Sequence, residues 1–369
     1  MKKILISGYY GSKNGGDEAV LSSMLEVLRE LDSDLHFTVI SLNPEYTKKR
    51  HNVDAVKWLD IFSIIRKFIA SDLLISGGGS LLQNVTSRSS LYYYLGIIFL
   101  AKIFGCKVML YAQGIGPING GLAHWLMKCI LNHVDLITVR DKGSLNELKQ
   151  LGINRPPIFC TADPVLAIKP VSRDIGKKIL SRYPQFANPN FSAPKIGVSV
   201  RRWNGWGKCQ RELANALDKI SAQINAKIVF IPMHFPEDIK AAKSTAELMQ
   251  NSCTVIDEEL KTAETLSLVG CMNVLIGIRL HALVFASIMD VPTIGISYDP
   301  KIDRFLDSID EKPIGSLDDV TADKIFDEIL KKLNANKNLQ ATSYQLQPNL
   351  RELAVKNARL AIDLLNAKS

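Results

Sequence analysis

Twice along its length this chain runs through the same alternation: a short β-branched apolar run, a loop carrying glycine or a charged side chain, then a helical pattern of apolar residues. In the first half the runs are "KILIS", "HFTVISL", "DLLIS", "KVMLYA", "DLITV" and "PIFCT"; in the second they are "KIGVSV", "KIVFIP", "CTVID", "NVLIG" and "PTIGIS". Strands separated by helices of this length can pair only in parallel, so each half predicts a sheet covered by helices on both faces. Between the halves, around residues 167 to 195, the pattern lapses into a stretch rich in Pro and Asn. The expected fold is therefore α/β, with two Rossmann-like, doubly wound domains facing a cleft. The expected divisions are residues 1–172, 173–320, and a tail of two helices over 321–369 that packs against the sheets.

A chain of 369 residues is long enough for two cores. The longest apolar run, "LYYYLGIIFLA", ends at Lys102 and is about half the length a bilayer requires. The start, "MKKILISGYYGS", is too short in its apolar part for a signal peptide and is better read as the first strand, which predicts a cytoplasmic protein. Six scattered cysteines form no CxxC pair and read as reduced thiols, mostly buried; no metal site is expected. The net charge of +8 suits an anionic substrate or an anionic membrane surface. The basic residues are spread out and no nucleic-acid-binding motif is visible, so no nucleic acid is expected.

Ligands of open α/β sheets bind beyond the carboxyl ends of the strands. The first loop, "GYYGSKNGGDEAVL", offers Asn14, Gly15 and Gly16, then Asp17 at a helix start. It lacks both the GxGxxG spacing and the Lys-Ser/Thr of a P-loop. Asp17 reads either as a helix cap or as an acceptor for a sugar hydroxyl. "GGGSLLQN" places Gly78 and Gly79 where backbone N–H groups can approach a ligand, with Asn84 and Arg88 following; "QGIGP" reads as another tight turn. "ITVRDKGS" delivers Arg140 beside Asp141, a pair that could equally be an ion pair capping a helix. In the second half "GVSVRRWNGWG" supplies Arg201 and Arg202, of which one should face the cleft, and "FIPMHFPED" supplies His234. Then "NVLIGIRLHALVFASIMD" puts Arg279 and His281 between an apolar strand and an apolar helix. Converging on one anion requires that Arg279 still belong to the loop, because residues two apart diverge on a regular helix.

In that order, "GYYGSKNGGDEAVL", "GGGSLLQN", "YAQGIGP", "ITVRDKGS" and "IRLHALVFA" resemble the motifs of the polysaccharide pyruvyl transferase family. Together they span the chain from the first strand to about residue 300. The chain is most similar to the bacterial enzymes that add pyruvate to a lipid-linked N-acetylmannosamine unit of secondary cell-wall polymer. That subgroup's pattern has an acidic residue after "GGGSLLQ", where this chain has Asn84. The resemblance implies a GT-B-like fold, phosphoenolpyruvate as donor, a 4,6-linked pyruvyl ketal as product, and Asp17, Arg140 and His281 as functional positions. It also implies an acceptor on an undecaprenyl diphosphate tail, hence work at the inner face of the cell membrane.

The residue chemistry suits that reaction. Phosphoenolpyruvate is a small double anion, which several arginines and a helix start can hold. Ketal formation needs a proton at the methylene carbon, and histidine is the natural carrier near neutral pH. His281 is expected as that acid or base, Arg140 and Arg279 as clamps on the donor, and Asp17 as the group that orients or deprotonates the sugar hydroxyl. No cofactor is expected. Membrane contact is expected through "DIFSIIRKFIASD", with Phe62, Ile65, Phe68 and Ile69 on one face, or through "SLYYYLGIIFL". The rival readings are a nucleotide-sugar glycosyltransferase or epimerase of the same fold, with Glu258 or Glu259 holding a ribose, and a non-catalytic module binding anionic lipid or polymer.

Overall fold

A computed structural model describes residues 1–85, 87–187, 193–338 and 348–367; the side chains of residues 88, 336–338 and 348 lie outside the described set. The chain divides into two compact units, one formed by Met1–Ile168 with Pro348–Ser369, the other by Lys169–Gln347. Of the two tail helices, Ala322–Asn338 therefore belongs to the second unit and Pro348–Asn366 to the first.

The first unit's sheet contains β1 (Lys2–Ser7), β2 (Leu35–Ser41), β3 (Asp54–Lys57), β4 (Leu73–Ser76), β5 (Gly79–Leu82), β6 (Lys107–Ile115), β7 (Leu136–Val139) and β8 (Ile158–Cys160). Their order is β3-β2-β1-β4-β6-β7-β8, with β5 added on β6, and every pairing is parallel. The second unit repeats the plan with β9 (Lys195–Ser199), β10 (Lys227–Phe230), β11 (Cys253–Val255), β12 (Val274–Gly277), β13 (Thr293–Ser297) and β14 (Gly315–Ser316), ordered β11-β10-β9-β12-β13-β14. In both sheets the chain winds outward from its first strand and then reverses. The reversal falls between β1 and β4 in one unit and between β9 and β12 in the other. That switch point opens a crevice at the carboxyl ends of the strands.

Central strands covered on both faces must be apolar throughout, and "LLIS" of β4 and "VLIG" of β12 are buried at every position. On one side of the first sheet the helices Ile61–Ala70, Arg88–Ile103 and Gly121–Leu131 share a core that includes Ile64, Phe68, Leu91, Ile98, Met127 and Leu131. Helix Gly15–Leu31 packs on helix Pro348–Asn366. Side-chain caps set several helix starts: Asn43 before Pro44, Asp60, Ser87, Asp141, and Asp299 before Pro300. Each is worth about 1 kcal/mol.

Five details depart from the sequence reading. Strand β3 is a short, half-exposed edge without a long apolar run, and β5 begins inside the glycine stretch expected to be loop. "QGI" of "QGIGP" is not a turn but the end of β6, carried past an irregularity between Leu110 and Gln113. Phe68, expected on an interfacial face, is buried, and Ile65 is half-buried. All six cysteines are free, but only Cys106 and Cys209 are fully buried, which pushes both thiols up to about 12.

Candidate functional site

The second unit's switch point is built from residues that follow three neighbouring strands. Arg201 comes after β9, Arg279 after β12 and Tyr298 after β13. Arg201 is held between aromatic walls, with its guanidinium carbon 4.6 Å from the centre of the Trp203 ring and 4.9 Å from that of Tyr298. Its Nη1 donates to the Tyr298 hydroxyl at 2.5 Å, while its buried Nε has no hydrogen-bond partner among the described residues. No carboxylate pairs with it among those residues. Burial lowers the Arg201 pKa most and the neighbouring Arg279 charge lowers it further, against the opposing effects of Tyr298 and of the Asp238 carboxylate that Arg279 holds. A half-buried cation flanked by a second cation is costly unless an anion completes it. Arg202, one position on, points its charge into solvent.

Arg279 is the cap residue of helix Leu280–Ile288, in extended conformation, so it does belong to the loop as convergence requires. Its Nε donates to Asp238 Oδ2 at 2.9 Å and its Nη2 to Asp238 Oδ1, a fork-on-carboxylate pair in which the Asp238 side chain is 2% exposed. Asp238 also accepts from the backbone N–H groups of Met233 and His234 at 3.1 and 2.9 Å. One carboxylate thus fixes Arg279 and the loop that carries His234. His281 is the second residue of the helix that Arg279 opens, and it is half-buried. The helix's first N–H groups have no intrahelical acceptor and favour negative charge.

In the first unit the equivalent crevice is lined by glycine backbone and ordered by carboxylates. Asn14, not Asp17, caps helix Gly15–Leu31: its Oδ1 accepts from Gly16 N at 3.1 Å. Asp17 lies one position further into the first turn, where its Oδ1 would stand 3.4 Å from a Cβ placed on Gly79. Gly79 has φ +110°, a conformation that β-carbon-bearing residues avoid. Gly78 answers a packing need, since a Cβ there would press on Val20 and Pro164. Buried Glu18 accepts from Gly11 N at 2.8 Å and pairs with His51 Nε2 at 2.7 Å, which ties the first loop down.

Arg140, after β7, has a side chain only 6% exposed. Its Nη1 donates to Asp163 Oδ2 at 2.9 Å and its Nη2 to Ser80 Oγ at 2.9 Å. Asp141 caps helix Lys142–Gln150 through Ser144 N at 2.7 Å and also stands 3.9 Å from Arg140 Nε, so the ion pair that caps a helix is present as well. A Cβ on Gly114 would strike both Arg140 and Ser80, so glycine in β6 is the condition for this arginine's seat. Asn84 is likewise engaged: its Nδ2 donates to Asn119 O at 2.6 Å while its Oδ1 accepts from Asn119 N at 2.8 Å. An acidic side chain could accept the second bond but could not donate the first. The Arg88 side chain lies outside the described residues.

Below the first unit's switch point, Ser7 Oγ, Tyr10 Oη, Ser76 Oγ and Gln113 Oε1 are buried without hydrogen-bond partners among the described residues. Gln113 Nε2 donates to Ser76 O at 3.1 Å and to Gly77 O. The Tyr10 pKa is pushed well up by burial and then by the Asp17 charge, which keeps its hydroxyl protonated. Groups of this kind ordinarily meet ordered water.

Of the residues singled out, Asp17 adjoins Gly79 in the first unit, and in the second Asp238 joins Arg279 to the loop of His234 beside Arg201, with His281 two positions after Arg279; Arg140 and Asn84 are instead engaged by Asp163, Ser80 and Asn119. Sequence reasoning missed the partners. Trp203 and Tyr298 sit just beyond strand ends and carried a readable signal, as did Asp163 in "CTADP"; Asp238, inside a helix, carried none. Of the proposed ribose holders, Glu258 is ion-paired with Arg182 at 2.7 Å.

Two parallel-sheet α/β units with polar strand ends at both switch points define a protein of the GT-B class. Solved structures agree on the fold. UDP-GlcNAc 2-epimerase from Methanocaldococcus jannaschii aligns with a TM-score of 0.67 at 13% identity, covering 100% of both chains. The enzyme from Neisseria meningitidis, bound to UDP-GlcNAc, gives 0.66 at 12% over 98% of this chain and 100% of that one. A glycosyltransferase from Rickettsia africae gives 0.60 at 14% over 99% and 95%. No curated protein matches the chain in sequence. The polysaccharide pyruvyl transferase family model matches residues 14–300, and the chain belongs to that family.

Proposed function

We propose that this protein transfers a pyruvyl group from phosphoenolpyruvate to a lipid-linked, N-acetylmannosamine-containing saccharide, closing a 4,6-ketal at the cytoplasmic face of the membrane during cell-wall polymer synthesis. The observation that carries this reading is Arg201, a half-buried cation beside Arg279 with no carboxylate of its own among the described residues. A ligand with two negative groups supplies what that site lacks. The second unit takes the donor, with Arg201 on one anionic group and the first turn of helix Leu280–Ile288 on the other. Arg279 orients that turn through Asp238 and keeps its Nη1 edge for the ligand.

His281 delivers a proton to the methylene carbon, which becomes the methyl group and leaves an oxocarbenium-like centre at C2. One sugar hydroxyl adds to C2 and gives up its proton; phosphate leaves; the second hydroxyl adds and closes the ring, and its proton is lost in turn. The products are ketal and inorganic phosphate, and side chains alone serve every proton transfer in this route. The first unit takes the acceptor. Asp17, beside the glycine turn, receives the hydroxyl proton, and the N–H groups near Asn14, Gly15 and Gly16 hold the sugar. Arg140 positions β5 and Asp163 rather than touching the donor.

Incubation with phosphoenolpyruvate and a lipid-tailed N-acetylmannosamine disaccharide tests the reading by mass spectrometry. The expected result is a product heavier by one pyruvyl ketal, with phosphate released in equal amount. Unchanged acceptor, together with binding of UDP and not of phosphoenolpyruvate, would replace this reading with a nucleotide-sugar enzyme.

A further inference from the structure

Among the described residues, no helix is long and apolar enough to cross a membrane, yet one helical layer of the first unit has an unusual outer surface. Helices Ile61–Ala70, Arg88–Ile103 and Gly121–Leu131 lie side by side in that order and bury their inner stripes in one core. Their outer stripes are apolar as well. Phe62 is 83% exposed and Ile69, two turns on, 67%; Phe99 and Ile103 are 51% and 59%; Leu122 and Trp125 are 62% and 60%. Large apolar side chains exposed on three adjacent helices exceed the scattered singles of an ordinary surface.

The charge pattern identifies the occupant. These three helices contain no Asp or Glu; of their cations, Lys102 is paired with Asp135 at 2.7 Å and Lys67 stands 3.9 Å from Asp54, while Asp60 caps the first helix. Arg66 shares the stripe of Phe62 and Ile69 and is exposed, as is Lys128. Elsewhere in the unit, helices Gly15–Leu31, Pro44–His51, Lys142–Gln150 and Pro348–Asn366 all carry carboxylates. A two-fold contact between copies would set the exposed cations Arg66 and Lys128 of this face against their own copies, with, among the described residues, only Asp60 at its edge to offset them. An anionic bilayer complements it in both respects, taking aromatic and aliphatic side chains into the headgroup region and pairing with the cations.

We infer that the outer face of helices Ile61–Ala70, Arg88–Ile103 and Gly121–Leu131 is a docking surface for anionic phospholipid. This rests on the reading of a lipid-linked acceptor only in explaining why docking would serve the enzyme. The docking itself stands on exposure and charge. The test is flotation of the full chain with vesicles of phosphatidylcholine alone and of an equimolar mixture with phosphatidylglycerol, using wild type and the double variant Phe62→Asp/Trp125→Asp. Both positions are exposed, so thermal midpoints should coincide.

Wild type should float with the anionic vesicles, less so at high salt, and the variant's bound fraction should fall about tenfold or more. Equal flotation of variant and wild type, or no flotation of either, overturns the inference. So does a wild-type dimer in sedimentation that the double variant dissociates, since the occupant would then be a second copy. Transfer to a tail-free disaccharide without vesicles should be equal in both proteins. If neither transfers while wild type still floats, the functional reading fails and the docking surface remains.

Discussion

Arg140 in the first unit and Arg201 in the second both follow a strand and look alike in sequence. Their surroundings differ in one decisive respect. Arg140 is sealed in with Asp163 at 2.9 Å and a serine, so its charge is balanced by the protein itself. Arg201 has aromatic rings, a phenol and another arginine around it, and the nearby Asp238 carboxylate is bound to Arg279, so no carboxylate pairs with Arg201 among the described residues. An arginine at a strand end therefore says little by itself; the nearest carboxylate separates a brace from a binding group.

That contrast can be broken or sharpened by substitution. The largest effect is expected at His281. His281→Ala should reduce pyruvyl transfer about a hundred- to ten-thousand-fold while moving the thermal midpoint little, as for loss of a general acid. Near-normal turnover would remove the proton-carrier role. Next comes Asp163→Ala, which takes from buried Arg140 its hydrogen-bonded counter-charge and leaves only Asp141, 3.9 Å away. Denaturant unfolding should register a loss of about 3–5 kcal/mol, and a loss below 1 kcal/mol would mean that Arg140 is not the sealed brace described. A smaller effect belongs to Asn84→Asp. The carboxylate keeps the bond from Asn119 N but faces Asn119 O without a proton to share, a cost of about 1–3 kcal/mol. A variant as stable as wild type would show that the Asn119 clamp is dispensable.

Much of the fold was legible because parallel sheets write themselves plainly: "LLI" of β4 and "VLI" of β12 are buried and announce it as unbroken apolar runs. The edge strand "DAVK" has one face in water and no such run. The strand inside "GGGSLL" was hidden because glycine there serves close packing against Val20, Pro164 and Asp17 rather than a loop. The site was legible at strand ends, where Asp17, Arg201, Arg279 and His281 stand beside glycines and apolar runs. It was illegible where pairing is long-range. Nothing near "VRDK" tells that Arg140 meets Asp163, and nothing in "FPEDIK" tells that Asp238 meets Arg279. The helices Ile61–Ala70 and Gly121–Leu131 show the same limit from the surface side. Their apolar positions were visible in sequence, but only packing decides that Phe68 turns inward while Phe62 and Trp125 turn out.

The central claim is that Arg201 lacks a protein carboxylate because the donor brings the anion. Calorimetric titration of phosphoenolpyruvate into wild type and Arg201→Ala tests it most directly. Removing a charged partner of a bound anion costs about 1.5–3 kcal/mol, so the variant's dissociation constant should rise about tenfold or more with its thermal midpoint unchanged or raised. Equal affinity in the two proteins would contradict the account and leave Arg201 as a cation stacked for packing alone.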